Sequence, residues 1–209
     1  MISYKTVKGE TESVTVIEKS KFICSLKGIE DETAAKEYVE KIRKKYYDAT
    51  HNCYAYIADE NALVRKFSDD GEPQGTAGLP MLNVLQASGL KKTVAVVARY
   101  FGGIKLGAGG LCRAYSGAVA GAIEKSATAL YTEAEFFTVV TDYSQLKKLP
   151  TFSDGAEIIG QEFVGEVRIK IAVKAEENNL IKVKERLSGA FGGAVKIIPE
   201  GKGFFGFSV

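Results

Sequence analysis

The chain has 209 residues, which is long for one small domain and sufficient for two. Its hydrophobic fraction of 45% and charged fraction of 26% are typical of a soluble globular protein and exclude extended disorder. The formal net charge of +2 is not the strongly basic balance of an obvious nucleic-acid-binding protein, so any electrostatic binding requires a local patch.

The cysteines and the hydrophobic pattern indicate the cellular compartment. Cys24, Cys53 and Cys112 are widely spaced and form no C-x-x-C pair, which argues against a zinc site and against a disulfide framework. The N-terminal segment lacks the apolar core of a signal peptide, and no apolar run is long enough to span a bilayer. We therefore expect a cytoplasmic protein with no membrane partner.

The first predicted elements are a β-hairpin and a helix. Residues 13–18 and 21–28 read as the two strands of the hairpin, because apolar and polar residues alternate in them. The apolar members of this alternation are Val14, Val16, Phe22 and Cys24. Asp31 then has the position of a helix N-cap, and apolar residues follow it at helical spacing as far as Tyr46.

The next elements lead to a buried strand. Strands are predicted near residues 51–58 and 63–68, joined by a tight turn at residues 59–61. A short helix is predicted from Leu79 to Leu85, opened by Pro80. The segment from Thr93 to Phe101 is nearly all apolar and β-branched, which is typical of a central strand.

A glycine-rich loop, Gly102 to Gly110, precedes a helix predicted to end near Ser126. The residues expected to share the buried face of this helix are Leu111, Tyr115, Ala118, Val119 and Ala122. Gly117 and Gly121 each cost about 1 kcal/mol relative to alanine in a helix interior. Their presence predicts that close packing of the helix on a sheet compensates for this cost.

The second half of the sequence has the order β-α-β-β-α-β, which is the ferredoxin-like order. The predicted elements are a strand at 136–142, a short helix from Ser144 that reaches about Phe152, strands at 157–166 and 167–173, a helix at 176–187 stopped by Gly189, and a strand at 195–198. A domain boundary is expected near residues 127–134, which separates an N-terminal domain, residues 1–130, from a C-terminal domain, residues 134–209.

The loop before the long helix is the strongest candidate for a binding site. Five glycines within nine residues exceed what an ordinary turn needs, and they permit close approach of a ligand. First-turn amides of the following helix lack intrahelical partners and favour an anion, and basic side chains add charge. The predicted nucleic-acid- or anion-binding residues are Arg99, Tyr100, Gly102, Gly103, Lys105, Gly107, Gly109, Gly110 and Arg113. The alternative is a glycine-rich packing turn.

A second candidate site has no assigned role. Its members are His51, Asp70, Glu72, Gly75 and Thr76. The acidic turn within it is favoured as a solvated turn over a divalent-cation site, and Cys53 is favoured as a core residue over a nucleophile activated by His51. We therefore predict no metal ligands, no catalytic residues and no cofactor.

The tyrosines leave two alternatives open. Tyr46, Tyr47, Tyr54, Tyr56 and Tyr100 have the chemistry needed to stack on bases. Aromatic residues at these spacings are more often part of the core, so the core interpretation is favoured for the group.

Three segments together resemble a known family. They are Asp69–Pro73 with Gly75–Gly78 and Pro80; Arg99–Gly103 with Lys105–Gly107, Gly109–Leu111 and Arg113–Tyr115; and His51–Cys53. In this combination the chain resembles the bacterial members of the YigZ/IMPACT family throughout its length. Two positions depart from the family pattern: Ile104 stands where threonine is usual, which removes a hydroxyl, and Cys112 stands where an aliphatic residue is usual.

The resemblance implies an α+β protein of two domains. The N-terminal domain is expected to have the left-handed β-α-β fold shared with domain IV of elongation factor G. The C-terminal domain is expected to be ferredoxin-like, similar to domains III and V of that factor. Those relatives contact ribosomal RNA, and eukaryotic family members act in translational control during amino-acid starvation.

By fold analogy the resemblance implies a non-catalytic accessory or regulatory protein of translation that binds RNA, the ribosome or translation factors. The alternatives are an enzyme acting on a small phosphate ester, a peptidase, and a protein-interaction module. A peptidase is the weaker enzyme alternative, because the sequence offers no two-metal ligand set.

Overall fold

The computed structural model describes residues 2–152, 155–176, 178–192 and 195–209. Contacts between residues divide the chain into two units. The N-terminal unit comprises Ile2–Ala129 with Ser208–Val209, and the C-terminal unit comprises Leu130–Phe207. That residues 1–130 and 134–209 are separate folding domains stays a prediction. No helix in the described part of the chain is long and apolar enough to cross a membrane.

The N-terminal unit contains a five-stranded sheet in the order β2-β3-β6-β4-β5, with all neighbouring strands antiparallel. Its elements are β1 (Tyr4–Val7), β2 (Glu10–Ile17), β3 (Ser20–Gly28), α1 (Glu32–Lys45), β4 (His51–Ile57), β5 (Arg65–Ser68), α2 (Gly78–Ala87), β6 (Thr93–Tyr100) and α3 (Gly107–Lys125). The prediction of a central buried strand is confirmed, since β6 lies in the middle of the sheet and all its residues except Tyr100 are buried.

Helices cover both faces of this sheet. On one face, Tyr38 and Ile42 of α1 pack with Val94 and Val96 of β6. On the other face, α2 and α3 pack on the alternate residues of the same strand, which include Val97. Because both faces are buried, β6 needs apolar residues at every position rather than an alternating pattern.

The start of α1 is as predicted. The carboxylate of Asp31 accepts a hydrogen bond from the amide of Ala34 at 2.8 Å, which satisfies one of the free amides of the first turn. Tyr46 is the C-cap of the helix, so the helix ends one residue before the predicted limit.

The predicted hairpin is confirmed as β2 paired with β3, but the apolar residues of β2 do not lie on its buried face. Ser13 lies opposite Cys24 and is buried, whereas Val14 and Val16 are 48% and 64% exposed. Residues directly opposite each other in an antiparallel pair share a face, so the valines lie on the face away from Cys24. The side of β2 that carries Ser13 is the one covered by α3, whose Lys125 donates to the Ser13 hydroxyl at 3.0 Å.

The glycine-rich loop is shorter than predicted. Helix α3 begins at Gly107, so Gly107, Gly109 and Gly110 belong to its first turn and the loop proper ends at Leu106. The predicted buried face of α3 is confirmed, because Leu111, Tyr115, Ala118, Val119 and Ala122 are all buried.

The prediction that Gly117 and Gly121 permit close packing of α3 on the sheet is wrong. A Cβ atom at either position would meet no heavy atom within 4 Å. We therefore expect Gly117→Ala and Gly121→Ala each to raise the free energy of unfolding by about 1 kcal/mol, because alanine restricts the unfolded chain more and favours the helix. Urea denaturation followed by circular dichroism measures the change.

Helix α2 supplies a matched control for this prediction. A Cβ at Gly78, the first residue of α2, would lie 2.8 Å from the backbone of Ser68. Gly78→Ala is therefore expected to destabilise the protein. Stabilisation by all three substitutions, or by none, would contradict the assignment of open space at Gly117 and Gly121.

The C-terminal unit follows the predicted order with one exception. Its elements are β7 (Thr128–Thr141, which begins in the N-terminal unit), a 3-10 helix (Leu146–Lys148), β8 (Ala156–Val164), β9 (Glu166–Lys174), α4 (Asn179–Phe191) and β10 (Lys196–Ser208). The helix predicted from Ser144 is only this one 3-10 turn. Strand β9 lies between β7 and β8, and β10 pairs with β7.

The boundaries of α4 and β10 differ from the prediction. Helix α4 continues through Gly189 and ends at Phe191, followed by Gly192 as its C-cap with φ of 62°. Its predicted start is residue 176, whereas the helix in the structure begins at Asn179. Residue 177 lies outside the described residues. The last strand extends to Ser208, beyond the predicted limit at residue 198, and Phe207 in it is buried.

Candidate functional site

The beginning of α3 forms one side of a cavity of about 500 Å³. The lining residues are Ile17, Glu18, Ile104, Lys105, Leu106, Gly110, Arg113 and Ala114. The structure therefore brings together Lys105, Gly110 and Arg113, three of the predicted anion-binding residues. The apolar members form the wall, and Glu18 adds one acidic side chain to the rim.

The cavity has its shape because the loop after β6 lies directly on the turn between β2 and β3. The amide of Gly102 donates to the hydroxyl of Ser20 at 3.1 Å. A Cβ at Gly102 would overlap the backbone of Lys19 and Ser20, so only glycine fits. Gly107 has φ of 69°, which lets the chain turn into α3 without strain.

The first turn of α3 has the electrostatics of an anion site. Within the described residues, its N-cap, Leu106, provides no side-chain hydrogen bond, and the first turn contains no acidic side chain. The backbone amides of the first turn of α3 therefore remain available to a ligand, and the helix dipole adds partial positive charge at this end of the helix. Gly109 leaves this surface open, because an added Cβ would contact only the Arg113 guanidinium at 3.5 Å.

Arg99 is not part of this exposed surface. The residue is 5% exposed, and its Nη1 donates to Glu72 Oε1 at 2.6 Å. Its Nη2 lies 3.4 Å from the Ser20 hydroxyl. The charge of Arg99 is thus neutralised inside the unit by a carboxylate, which corrects its expected role as a phosphate ligand.

Glu72 is the centre of a buried polar network. Its Oε1 also accepts a hydrogen bond from the Tyr115 hydroxyl at 2.8 Å, and its Oε2 lies 3.9 Å from His51 Nε2. The Cys53 thiol lies 3.4 Å from the Tyr115 hydroxyl. Two residues predicted in the second candidate site, His51 and Glu72, are therefore close together.

The network does not activate a nucleophile. Burial raises the pKa of the Cys53 thiol to about 12, and burial also raises the pKa of Tyr115. Both groups remain protonated at neutral pH, whereas a nucleophilic thiol needs a lowered pKa. This supports the prediction that Cys53 is a core residue.

The acidic turn is held by its own hydrogen bonds. The Asp69 carboxylate accepts from the amides of Gly75 and Gly78, both at 2.8 Å, and so caps the beginning of α2. The Asp70 carboxylate accepts from the Asn52 amide at 2.6 Å and pairs with Arg43 at 3.2 Å. In the described residues no group of three or more His, Cys, Asp and Glu side chains is arranged to hold a metal ion.

Two further members of the second candidate site have local partners. His51 Nδ1 lies 2.8 Å from the Asp70 carbonyl, and the Thr76 hydroxyl donates to the Pro73 carbonyl at 2.6 Å. Sequence reasoning missed Asp69, because its carboxylate accepts from amides 6 and 9 residues further along the chain, and local capping patterns do not extend that far. It also missed Ser20 and Tyr115, whose roles depend on residues distant in the chain.

The five tyrosines differ in exposure: one is buried, one is exposed and three are partly buried. Tyr54 and Tyr56 stack on each other with centroids 6.0 Å apart, and Tyr56 is buried. Tyr100 donates to the Asp48 carboxylate at 2.7 Å, and this hydrogen bond raises the pKa of Tyr100 to about 12. Tyr47 is 84% exposed. The core interpretation therefore holds for Tyr56, and it fails for Tyr47.

Comparison with known families assigns the chain. A family model described as the Impact N-terminal domain matches residues 18–123. The chain belongs to the IMPACT family. The matched segment of this IMPACT family member contains the Glu72 network and every residue lining the cavity except Ile17.

Individual relatives agree with this assignment. The chain is 58% identical to the IMPACT family member YvyE of Bacillus subtilis (strain 168), over 56% of this chain and 54% of that protein, so this match spans about half the length of the relative. It is 41% identical to the IMPACT family member YigZ of Escherichia coli (strain K12), over 78% of this chain and 83% of that protein. A crystal structure of a hypothetical protein has 34% identity and a TM-score of 0.61, covering 95% of this chain and 97% of the other. The resemblance to the YigZ/IMPACT family is thus confirmed.

Proposed function

We propose that this protein binds RNA, free or in the ribosome, through the surface around Lys105 and Arg113, and that it acts in the regulation of translation without catalysing a reaction. The observation that carries the proposal is the cavity in which Lys105 and Arg113 meet the beginning of α3. Arg113 offers forked donors, Lys105 offers a mobile point charge, and the first-turn amides offer fixed donors.

The charge distribution supports a local phosphate contact. A net charge of only +2 provides little overall attraction for polyanions, so a phosphate contact depends on local basic side chains such as Lys105 and Arg113. Lys105 and Arg113 are exposed, and the described ion pairs do not include either side chain. An RNA backbone presents phosphates at regular intervals and matches two adjacent cations better than a single anion does.

The family and the fold add support of a coarser kind. Membership in the IMPACT family is consistent with partners in translation. We propose that residues 134–209 form a ferredoxin-like domain, since β10, β7, β9 and β8 pair in that order in one sheet. The connecting elements are the 3-10 turn and α4, and α4 packs on the sheet. We also propose that residues 1–130 have the left-handed β-α-β fold of domain IV of elongation factor G.

The second candidate function is an enzyme or binding protein for a small phosphate ester. The cavity volume of about 500 Å³ favours it, because that size suits a small ligand. Glu72 is already paired with Arg99, and the pKa of the Cys53 thiol is raised. These two groups therefore favour a binding protein over an enzyme. Competition by inorganic phosphate and a small phosphate ester against RNA separates the two candidates.

The proposal predicts a salt effect that depends on Lys105. We expect the affinity for RNA to fall as salt concentration rises, because displaced counterions supply much of the free energy of binding. Lys105→Ala and Arg113→Ala are each expected to weaken binding to all sequences alike and to lower the salt slope by about one unit. Fluorescence anisotropy with labelled RNA at several salt concentrations measures both quantities.

Lys66→Ala is the charge-matched control. Lys66 is an exposed residue of β5, which is at the opposite edge of the sheet from β2, the strand whose Ile17 lines the cavity, and its removal changes the net charge by the same amount. We expect this variant to keep the wild-type slope. If wild type and Lys105→Ala bind RNA with equal affinity and without salt dependence, the proposal is wrong and the glycine-rich loop has only a structural role.

A further inference from the structure

Phe101 is an exposed aromatic ring supported from inside the N-terminal unit. It follows β6 directly and is 47% exposed. The Arg99 guanidinium carbon lies 5.5 Å from the centroid of its ring and 5.4 Å from that of the buried Phe22. Because the Glu72 carboxylate holds Arg99 in place, the arginine supports Phe101 from the core.

The backbone of Phe101 is also fixed. Its amide donates to the Thr50 hydroxyl at 3.1 Å, and the Thr50 amide donates to the Arg99 carbonyl at 2.8 Å. An aromatic ring whose position is set before binding loses little conformational freedom when a ligand covers it. Phe101 is therefore suited to contact a flat ligand with its exposed part.

Tyr47 lies at the same end of the sheet. It belongs to the turn between α1 and β4, and the Tyr100 hydroxyl ties that turn to the end of β6 by donating to Asp48 at 2.7 Å. Tyr47 immediately precedes Asp48 in this turn, and its side chain is 84% exposed. We call Tyr47 and Phe101 the aromatic platform.

Two basic side chains lie on segments next to Phe101, one on the strand paired with the end of β6 and one in the loop that follows Phe101. The Lys21 ammonium lies 5.7 Å from the centroid of the Tyr100 ring. Lys105 follows Phe101 by four residues, in the loop that leads to the cavity. Exposed aromatic rings beside a basic track are the combination that binds single-stranded nucleic acids, since bases stack on the rings while phosphates follow the charges.

We propose that this protein selects unpaired RNA, with bases stacked on Phe101 and Tyr47 and the adjoining phosphates at Lys105 and Arg113. The inference rests on the RNA binding proposed above and adds the class of RNA and the residues that contact its bases. In a duplex the bases are stacked on each other, and their faces cannot reach side chains at the protein surface. A regular duplex can thus use the charges and not the rings.

The test compares one RNA sequence in single-stranded and duplex form. We expect wild type to bind the single strand more tightly, and we expect Phe101→Ala and Tyr47→Ala each to weaken single-strand binding roughly 5- to 150-fold. Both neutral substitutions should leave the salt slope unchanged, whereas Lys105→Ala should lower it. Phe101→Tyr retains a ring and should bind as wild type does.

Leu63→Ala is the matched control. Leu63 is 78% exposed and lies beyond the other end of β4 from Tyr47, so its removal takes away exposed apolar surface without touching the aromatic platform.

Two results would overturn the inference and leave the proposed function intact. One is equal affinity of wild type for both RNA forms. The other is wild-type affinity of both platform variants while Lys105→Ala still lowers the salt slope. Failure of wild type to bind either RNA would instead overturn the proposed function.

Discussion

Replacing Glu72 with alanine is expected to lower the free energy of unfolding by about 3–5 kcal/mol. The substitution leaves the guanidinium of Arg99 buried without its carboxylate, and breaking a buried ion pair by removing one partner is strongly destabilising. The Tyr115 hydroxyl also loses its acceptor. Urea denaturation of the full chain, followed by circular dichroism and by tyrosine fluorescence, measures the loss.

Glu10→Ala provides the comparison for an exposed pair. Glu10 pairs with Lys41 at 3.0 Å, but the two side chains are 37% and 60% exposed, so water replaces much of what the pair provides. Its removal is expected to cost less than about 1 kcal/mol. Similar losses for Glu72→Ala and Glu10→Ala would show that the Glu72 network is accessible to water and would refute its description as a buried core network.

Gly102→Ala is expected to destabilise the protein by about 3 kcal/mol and to distort the cavity that contains Lys105 and Arg113. The added Cβ would overlap the backbone of Lys19 and Ser20, and backbone atoms cannot yield as the end of a flexible side chain can. The turn between β2 and β3 must then move away from the loop that carries Lys105. Urea denaturation and RNA titration of the same variant measure the two effects.

The neighbouring Gly103→Ala separates close packing from backbone conformation. A Cβ at Gly103 would meet no heavy atom within 4 Å, but the residue has φ of 85°, which L-residues disfavour. The expected cost is about 1–2 kcal/mol, smaller than at Gly102. Equal costs at both positions would contradict the close contact of position 102 with the backbone of Lys19 and Ser20, since Gly102, unlike Gly103, does not have a positive φ.

Much of the secondary structure follows from local sequence. Asp31 marks the start of α1 because its side chain competes for amides of the same turn, an interaction that does not depend on the rest of the fold. The apolar run of β6 indicates a strand buried on both faces, and the periodicity from Leu111 to Ala122 indicates the buried face of α3. These signals depend on spacing along the chain, which the sequence contains directly.

The wrong predictions share a different origin. Alternation in β2 distinguishes two faces but does not say which one a helix covers, and the face that carries Val14 and Val16 is the exposed one. The space around Gly117 and Gly121 depends on how α3 lies on the sheet, which glycine content alone does not determine.

The family motifs could be recognised in the sequence, but the partners of their charges could not. Composition and spacing by themselves determined a mixed α and β chain, its main elements, and the nearness of Lys105 and Arg113 to the beginning of one helix. Only the tertiary structure decided that Arg99 pairs with Glu72, 27 residues away, while Phe101 stays exposed. The reason is physical, because a buried charge requires an opposite charge beside it. Arg99 lies on β6, which pairs antiparallel with β4, and the acidic turn supplies the Glu72 carboxylate from a distant part of the chain.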